Sequence, residues 1–422
     1  MMPGPGARLA IVRPVSDTAG NPSTHPAHAP GMATVAVIGD GQLARMMQTS
    51  AIELGQSIRL LAGAQDSSAA QVCADVLIGD YTDLADLRRA VDGADAVTFD
   101  HEHVPNEHLQ TLIDAGVNVQ PQPAALVHAQ DKLTMRTKLA EIGAPVPDFA
   151  AIESVADAET FFERVDGKVC LKARRGGYDG HGVWFPDTIE ELRETVTELL
   201  DKGVPLMAER KLAFDRELSA MVARTPSGEV KAWPVVESVQ RGGICVEAIS
   251  PAPGLTPQLA GQAQELAGTI AAELGVTGVL AVELFEVDGR VFVNELAMRP
   301  HNTGHWTQDG CVTSQFEQHL RAVLDYPLGS TEAMQPVTVM ANTLGADTEA
   351  EMPVAERVQH VMRRFPHVKI HLYGKSYRAG RKLGHVNVTG RDVAATRREA
   401  QLAAHFLTDA VWADGYLAHE TK

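Results

Sequence analysis

This sequence is short of positive charge: 37 Lys and Arg stand against 54 Asp and Glu, for a formal net charge of −17. A general nucleic-acid binder needs a broad basic surface to meet the phosphate backbone, so that class is excluded, and any anionic ligand has to be held by local basic groups. Cysteine is equally sparse. The four, Cys73, Cys170, Cys245 and Cys311, have no metal-ligand spacing, and the first three lie in apolar surroundings. That suits buried free thiols in a reducing cytoplasm. No apolar run approaches the ~18 residues of a membrane span. What is present, 45% hydrophobic and 22% charged residues over 422 positions, is the balance of a soluble globular protein of two to four domains.

Residues 1–31 are rich in Pro, Gly, Ala and His, and their short apolar run from Leu9 to Val12 cannot form the core of a signal peptide. They read as a disordered extension, with Met32 as a candidate translation start. From Thr34 the strand TVAVIG enters GDGQLARMM, a glycine turn opening a helix, where bare N–H groups favour a phosphate. Ala44 stands in place of a third glycine, and such a turn can also merely pack helix on strand. Strand-like segments at 76–79, 96–100 and 117–120 alternate with helical patterns, which predicts a parallel α/β domain ending near Pro123. Glu102, in FDHEHVP beyond a strand's carboxyl end, is a candidate ligand there, with a solvated loop acid as the alternative.

A helix over 129–143 follows, with Lys132 and Arg136 one turn apart on one face. Strand KVCLKA then places Lys172 among apolar neighbours and runs into RRGGYDGHG. Its glycines 176, 177, 180 and 182 make a loop able to close backbone amides over phosphates, although no Gly-Lys-Ser/Thr follows. From Pro205 onward antiparallel patterns replace parallel ones, so an α+β unit begins. Within it AVELFEVDGRVFVNELAMRPHNTGHWT carries a glutamate on each of two apolar strands, Glu283 and Glu295. A two-residue turn at Asp288 and Gly289 would pair 283 with 294 and set the glutamates on opposite faces. A three-residue loop, 288–290, would pair 287 with 291 and hence 283 with 295. The second register is the expectation, because two facing carboxylates beside Asn294 make a magnesium site that also holds a nucleotide's phosphates. An ordinary hairpin with two solvated glutamates is the alternative.

The order of lysine strand, glycine loop, hinge strand and paired glutamates resembles the ATP-grasp superfamily. Together with GDGQLARM, GGYDGHG, NELAMRPHNTGHWT and GRKLGHVNV, it resembles the 5-(carboxyamino)imidazole ribonucleotide synthases of purine biosynthesis, over residues 34 to about 415. The resemblance implies a multidomain α/β and α+β chain: a Rossmann-like pre-ATP-grasp domain (32–125), a small ATP-grasp lid subdomain (126–205), a catalytic subdomain (206–327) and a small β-rich C-terminal domain (328–422). It also implies ATP and Mg2+ as cofactors, with aminoimidazole ribonucleotide and bicarbonate as partners. It further implies no nucleic-acid or membrane partner and a cytoplasmic homodimer.

Site residues follow from the same resemblance. ATP is assigned to Lys132, Lys172, the loop Gly176–Gly177–Tyr178–Asp179–Gly180–His181–Gly182, the hinge Glu209–Arg210–Lys211–Leu212, Glu217, Gln240, Asn294 and Glu295. Metal is assigned to Glu283 and Glu295. Tyr178, Asp179, His181, Arg299 and Lys375 are the catalytic candidates. Gly41, Gln42, Glu102, His301, Asn302, Lys375, Arg381 and Lys382 are expected around the ribonucleotide. Three departures stand out: His181 replaces a usual Arg or Lys, so its charge depends on pH; Gln240 replaces a histidine; and Met298 replaces a proline. The competing readings are a formate-dependent glycinamide ribonucleotide transformylase, an inactive nucleotide-binding regulatory protein, and a dinucleotide-dependent dehydrogenase. The last leaves the glycine loop and the glutamate hairpin unexplained.

Overall fold

In the computed structural model, which describes residues 28–176 and 181–416, the strands of the described residues form three sheets. The first is wholly parallel, in the order β3-β2-β1-β4, from β1 (Thr34–Ile38), β2 (Ser57–Ala62), β3 (Asp75–Ile78) and β4 (Ala96–Phe99). β1 and β2 are buried along their whole length, as a sheet covered on both faces requires. The segment expected as a further strand at 117–120 contributes only a bridge from Val119 to Val97. Residues 28–31 are not free of the domain as expected: His28 Nε2 lies 2.8 Å from Asp75 Oδ2, and the Ala29 N–H reaches Ser57 Oγ at 3.3 Å. The rest of the expected extension, 1–27, lies outside the described residues.

The second sheet, β5 (Phe149–Ile152), β6 (Val169–Ala173), β7 (Val183–Trp184) and β8 (Leu206–Arg210), is antiparallel in the order β5-β8-β6-β7. β8 was expected to open the next unit. Its Leu206 and Ala208 instead bury into one core with Ile152, Leu171 and Val196, so this unit runs past Arg210.

Nine strands make the third sheet: β9 (Arg216–Arg224), β10 (Val230–Ala232), β11 (Val236–Arg241), β12 (Ile244–Ser250), β13 (Gly278–Val287), β14 (Arg290–Ala297), β15 (Val337–Leu344), β16 (Lys369–Leu372) and β17 (Lys382–Gly390). The C-terminal strands extend this sheet through the antiparallel pairing of β12 with β15.

Two cores set the layers against one another. Phe99, Val104 and Leu109 of the first domain share an apolar cluster with Leu218 and Val282 of the large sheet and with Ile270 of the helix Pro257–Glu273. Elsewhere Leu43 and Met47 of helix Gln42–Glu53 pack with Phe316, Leu320 and Tyr373. Each such side chain contributes about 1.5–3 kcal/mol on burial, and together they bring the glycine turn of the first domain against the C-terminal segment that carries Lys375.

Candidate active site

The turn of the β13–β14 hairpin decides the geometry of the site. Asp288 and Gly289 both have positive φ, 48° and 70°, as a two-residue type I′ turn demands, and Val287 pairs with Arg290. The expected three-residue loop, with 287 opposite 291, is therefore absent. Glu283 nevertheless pairs with Glu295, because a β-bulge follows: Leu284 pairs with Val293, leaving Asn294 as the extra residue. The bulge restores by one residue what the tighter turn removed, and turns Asn294 and Glu295 together into the cleft.

That cleft is a cavity of about 1610 Å³ reaching all three sheets. Its acidic end is built on the hairpin. Glu295 takes the Lys132 Nζ at 2.8 Å, and Lys172 Nζ sits 3.5 Å from Asn294 Oδ1 while pairing closely with Glu209. Arg136 completes the group, with Nε 3.0 Å from Glu209 Oε2 and Nη2 2.7 Å from the Asn294 carbonyl. The predicted 129–143 helix is in fact broken at Asp131. Lys132 opens the second half, Lys132–Glu141, which aims Lys132 and Arg136 at the hairpin. Glu209, expected in the hinge, is 3% exposed and acts as the buried counter-ion of two cations. Burial pushes its carboxyl up, yet Arg136 and Lys172 beside it prevail and hold it at about 2.

Glu283 differs. Burial first, and then the neighbouring Glu295 and Glu217, push its carboxyl up to about 8. Glu217 is itself raised to about 7 by burial. Glu295 meets the same desolvation, but Lys132 outweighs it and keeps its carboxyl below the ordinary range. His301 Nε2 lies 3.3 Å from Glu283 Oε1, neutral because burial, Arg299 and Lys382 depress it to about 3. A buried carboxyl pair holding a proton is a site a divalent cation would relieve. No cluster of three or more His, Cys, Asp or Glu that could hold a metal occurs among the described residues. Glu283 and Glu295 are the carboxylates here that could hold a hard divalent cation.

The opposite end is basic. Lys375 Nζ bonds closely to Gln42 Oε1, and burial, then Arg381, lowers its pKa to about 8. Arg381 and Lys382 line the same wall, with Arg381 Nη1 folded back on Ser376 Oγ at 3.1 Å. Glu102 is no solvated loop acid: it accepts from Arg299 Nε at 2.9 Å and from the Met298 N–H at 3.3 Å. Asn302 lines the cleft, and its Oδ1 is buried with no hydrogen-bond partner among the described residues.

The glycine turn is not bare as expected, since the Gly41 N–H donates to Asp100 Oδ2 at 2.5 Å. A Cβ on Gly39, whose φ is +111°, would lie 1.8 Å from Asp100 Oδ1, so only glycine admits this carboxylate. Burial raises Asp100 to about 7. Sequence reasoning missed Asp100; its signal was an acid at the carboxyl end of β4, opposite the turn after β1.

Of the remaining candidates, Gly176, His181, Arg210, Lys211, Leu212 and Gln240 line the cavity. Arg210 pairs with Asp148 at 3.0 Å, and Gln240 donates to Ser238 Oγ at 2.9 Å. Gly182 closes the loop's base by accepting from the Ala173 N–H at 2.9 Å. Gly177, Tyr178, Asp179 and Gly180 lie outside the described residues.

The chain matches the Ribonucleotide synthetase preATP-grasp domain over residues 32–130, the ATP-grasp domain over 137–316, and the Phosphoribosylaminoimidazole carboxylase C-terminal domain over 338–399. It is 64% identical over 410 residues to the N5-carboxyaminoimidazole ribonucleotide synthase of Corynebacterium ammoniagenes, across 96% of this chain and 99% of that one. Identity to the enzyme of the same name from Mycobacterium tuberculosis is 56% over 389 residues, covering 92% and 91%. Among solved structures, an Aspergillus clavatus N5-carboxyaminoimidazole synthase in complex with ADP and 5-aminoimidazole ribonucleotide superposes with a TM-score of 0.81 at 30% identity, covering 89% and 98%. A Thermus thermophilus N5-carboxyaminoimidazole ribonucleotide synthetase gives 0.80 at 34% identity, covering 90% and 99%. The chain belongs to the N5-carboxyaminoimidazole ribonucleotide synthase family of ATP-grasp proteins.

Proposed function

We propose that this protein carboxylates 5-aminoimidazole ribonucleotide with bicarbonate at the expense of ATP, giving the N5-carboxy product, ADP and phosphate in purine biosynthesis. The observation that carries this reading is the polarity of one cavity: facing carboxylates with two lysines at one end, Lys375 with Gln42 at the other, and Arg299 fixed by Glu102 between them.

The chemistry follows from the charges. Attack of bicarbonate on the γ-phosphate joins anionic centres, so the barrier is lowered by preplaced positive charge more than by an activated side-chain nucleophile. Lys172 is held in place by Glu209, and Lys132 by Glu295, so neither needs to reorganise when a polyphosphate arrives. Magnesium bound at Glu283 and Glu295 would supply further charge neutralisation on the phosphates. Holding it there would require Glu283, raised to about 8, to lose its proton to solvent, since His301, depressed to about 3, is too weak a base to take it. The glycine loop 176–182 is assigned to the phosphates. Carboxyphosphate hydrolyses in water, so transfer to the aminoimidazole amine has to occur with solvent excluded.

The ribonucleotide's own phosphate is assigned to Lys375, Gln42, Arg381 and Lys382, where Arg381 and Lys382 crowd Lys375 with like charge that an anion would relieve. Asn302 and Arg299, which line the same cavity, are then assigned to the imidazole and the carboxyl group. A homodimer and a cytoplasmic location, both implied by the family, belong to the same reading; sedimentation of the purified protein tests the first. The deciding assay follows phosphate release and product mass with aminoimidazole ribonucleotide and bicarbonate, and in parallel with glycinamide ribonucleotide and formate. Turnover only with the first pair supports the proposal. Turnover with the second, or ATP hydrolysis indifferent to both, overturns it.

A further inference from the structure

Asp131 stands outside every role assigned above, yet it is 2% exposed and its carboxylate accepts from four N–H groups. One is the Thr134 backbone at 3.0 Å, the bond of an ordinary helix N-cap. The other three come from two arginines: Arg174 Nε at 3.2 Å and Nη2 at 2.9 Å, and Arg175 Nε at 3.1 Å. A cap alone calls for only the first of these.

The two arginines directly follow β6, the strand that carries Lys172. The backbone reinforces the link, because the Lys132 N–H donates to the Arg174 carbonyl at 2.9 Å and the Arg174 N–H donates to Pro205 O at 2.9 Å. Asp131 is also the residue immediately before Lys132, whose side chain reaches Glu295. One carboxylate therefore ties the start of the Lys132 helix to the chain leaving the Lys172 strand. It meets two guanidinium charges, so that point keeps a net positive charge, and Arg174, Arg175 and Gly176 all line the cleft.

We propose that Asp131 is a positioning residue for the nucleotide's polyphosphate: by clamping Arg174 and Arg175 onto the helix N-terminus it fixes Lys132 relative to Lys172 and holds Arg175 at the cleft. This rests on the assignment of ATP to this end of the cavity. The Asp131→Asn change separates the clamp from the cap. Asparagine caps a helix as well as aspartate does, but it carries no charge, and its NH2 group would face arginine donors.

The test is calorimetric titration of the full-length protein with ADP and magnesium, alongside steady-state kinetics and thermal unfolding. Asp131→Asn is expected to melt within about 2 °C of the parent protein. ADP affinity is expected to fall about tenfold and the KM for ATP to rise by as much, with the ribonucleotide KM within about twofold, as lost charge-assisted bonds at one end of the site dictate. Arg174→Gln should act in the same direction, and the double variant should be no worse than the worse single change, since the pair acts as a unit. Parent-like ADP affinity in Asp131→Asn overturns the proposal. So does a loss of ADP binding that only tracks a lowered melting temperature, which would make the residue a cap. Failure of the parent protein to carboxylate the ribonucleotide, with ADP binding intact, would instead count against the assigned reaction.

Discussion

The two ends of the cleft are opposite in charge and unequal in how far the protein satisfies itself. At the hairpin end Lys132, Lys172 and Arg136 already have Glu295 and Glu209, and the surplus is acidic: Glu283 and Glu217 sit at about 8 and about 7. At the far end Lys375 has an amide oxygen and crowding cations, and sits at about 8. Each surplus group is raised or lowered toward neutrality because burial penalises its charge by more than the opposite charges around it, Lys132 for Glu283, Lys172 for Glu217 and Asp100 for Lys375, can offset. The difference shows what each end lacks: a cation at one, an anion at the other. Within the hairpin end, the group around Glu209, one buried carboxylate between Arg136 and Lys172, reads as framework.

The largest blow to this contrast is Glu295→Gln, which removes about half the protein charge offered to a metal and leaves Lys132 unpaired. At least ~10² should be lost from kcat, comparable to deleting one preorganised electrostatic contact, as read by phosphate release at saturating magnesium. Near-parental turnover at limiting magnesium would deny the acidic end its role. Next, Lys375→Ala should raise the ribonucleotide KM roughly 10–100-fold, the span of a charge-assisted hydrogen bond, with little change for ATP. Equal effects on both substrates would erase the distinction between the ends.

Activity against pH sharpens the contrast without mutation. Below about pH 8 Glu283 retains its proton, so the apparent magnesium affinity should weaken as pH falls. Above about pH 8 Lys375 loses its charge, so the ribonucleotide KM should climb, by about tenfold per unit once well past that value. Lys375→Arg should flatten the alkaline limb alone, because guanidinium stays charged. A profile in which both limbs move with magnesium would mean that the two ends are not separate.

The smallest expected change in chemistry belongs to the framework. Arg136→Met should cost about 2 kcal/mol of stability, the worth of hydrogen bonds to a charged group, measured as a lower urea midpoint. In the parent protein Glu209, lowered from 4.5 to about 2, contributes stability that is fully present above its unfolded value and lost as pH falls toward 2. Arg136→Met should narrow that window, leaving Lys172 as the remaining partner.

Much of the site was legible residue by residue. Lys172 in an apolar strand, glycines after it, and two glutamates in apolar runs all carry their chemistry in short windows, because a costly group in a cheap environment marks a function. The hairpin was the instructive failure. Asp288-Gly289 signalled a two-residue turn, and the facing glutamates seemed to forbid it; both were true, reconciled by a bulge at Asn294 that no local pattern announces. Asp131, hidden inside an expected continuous helix, and Asp100, buried under Gly39, escaped for the same reason.

The sequence by itself determined the family, the parallel-then-antiparallel order of elements and which charged residues sit among apolar neighbours, since these follow from composition, periodicity and motif order along the chain. Only the tertiary structure decided partners: that Glu209 neutralises Lys172 and Arg136, that Asp100 takes the Gly41 amide, and that Lys375 meets Gln42 across 333 positions. Pairing energies depend on distance and burial, and both are set by packing between segments remote in the chain.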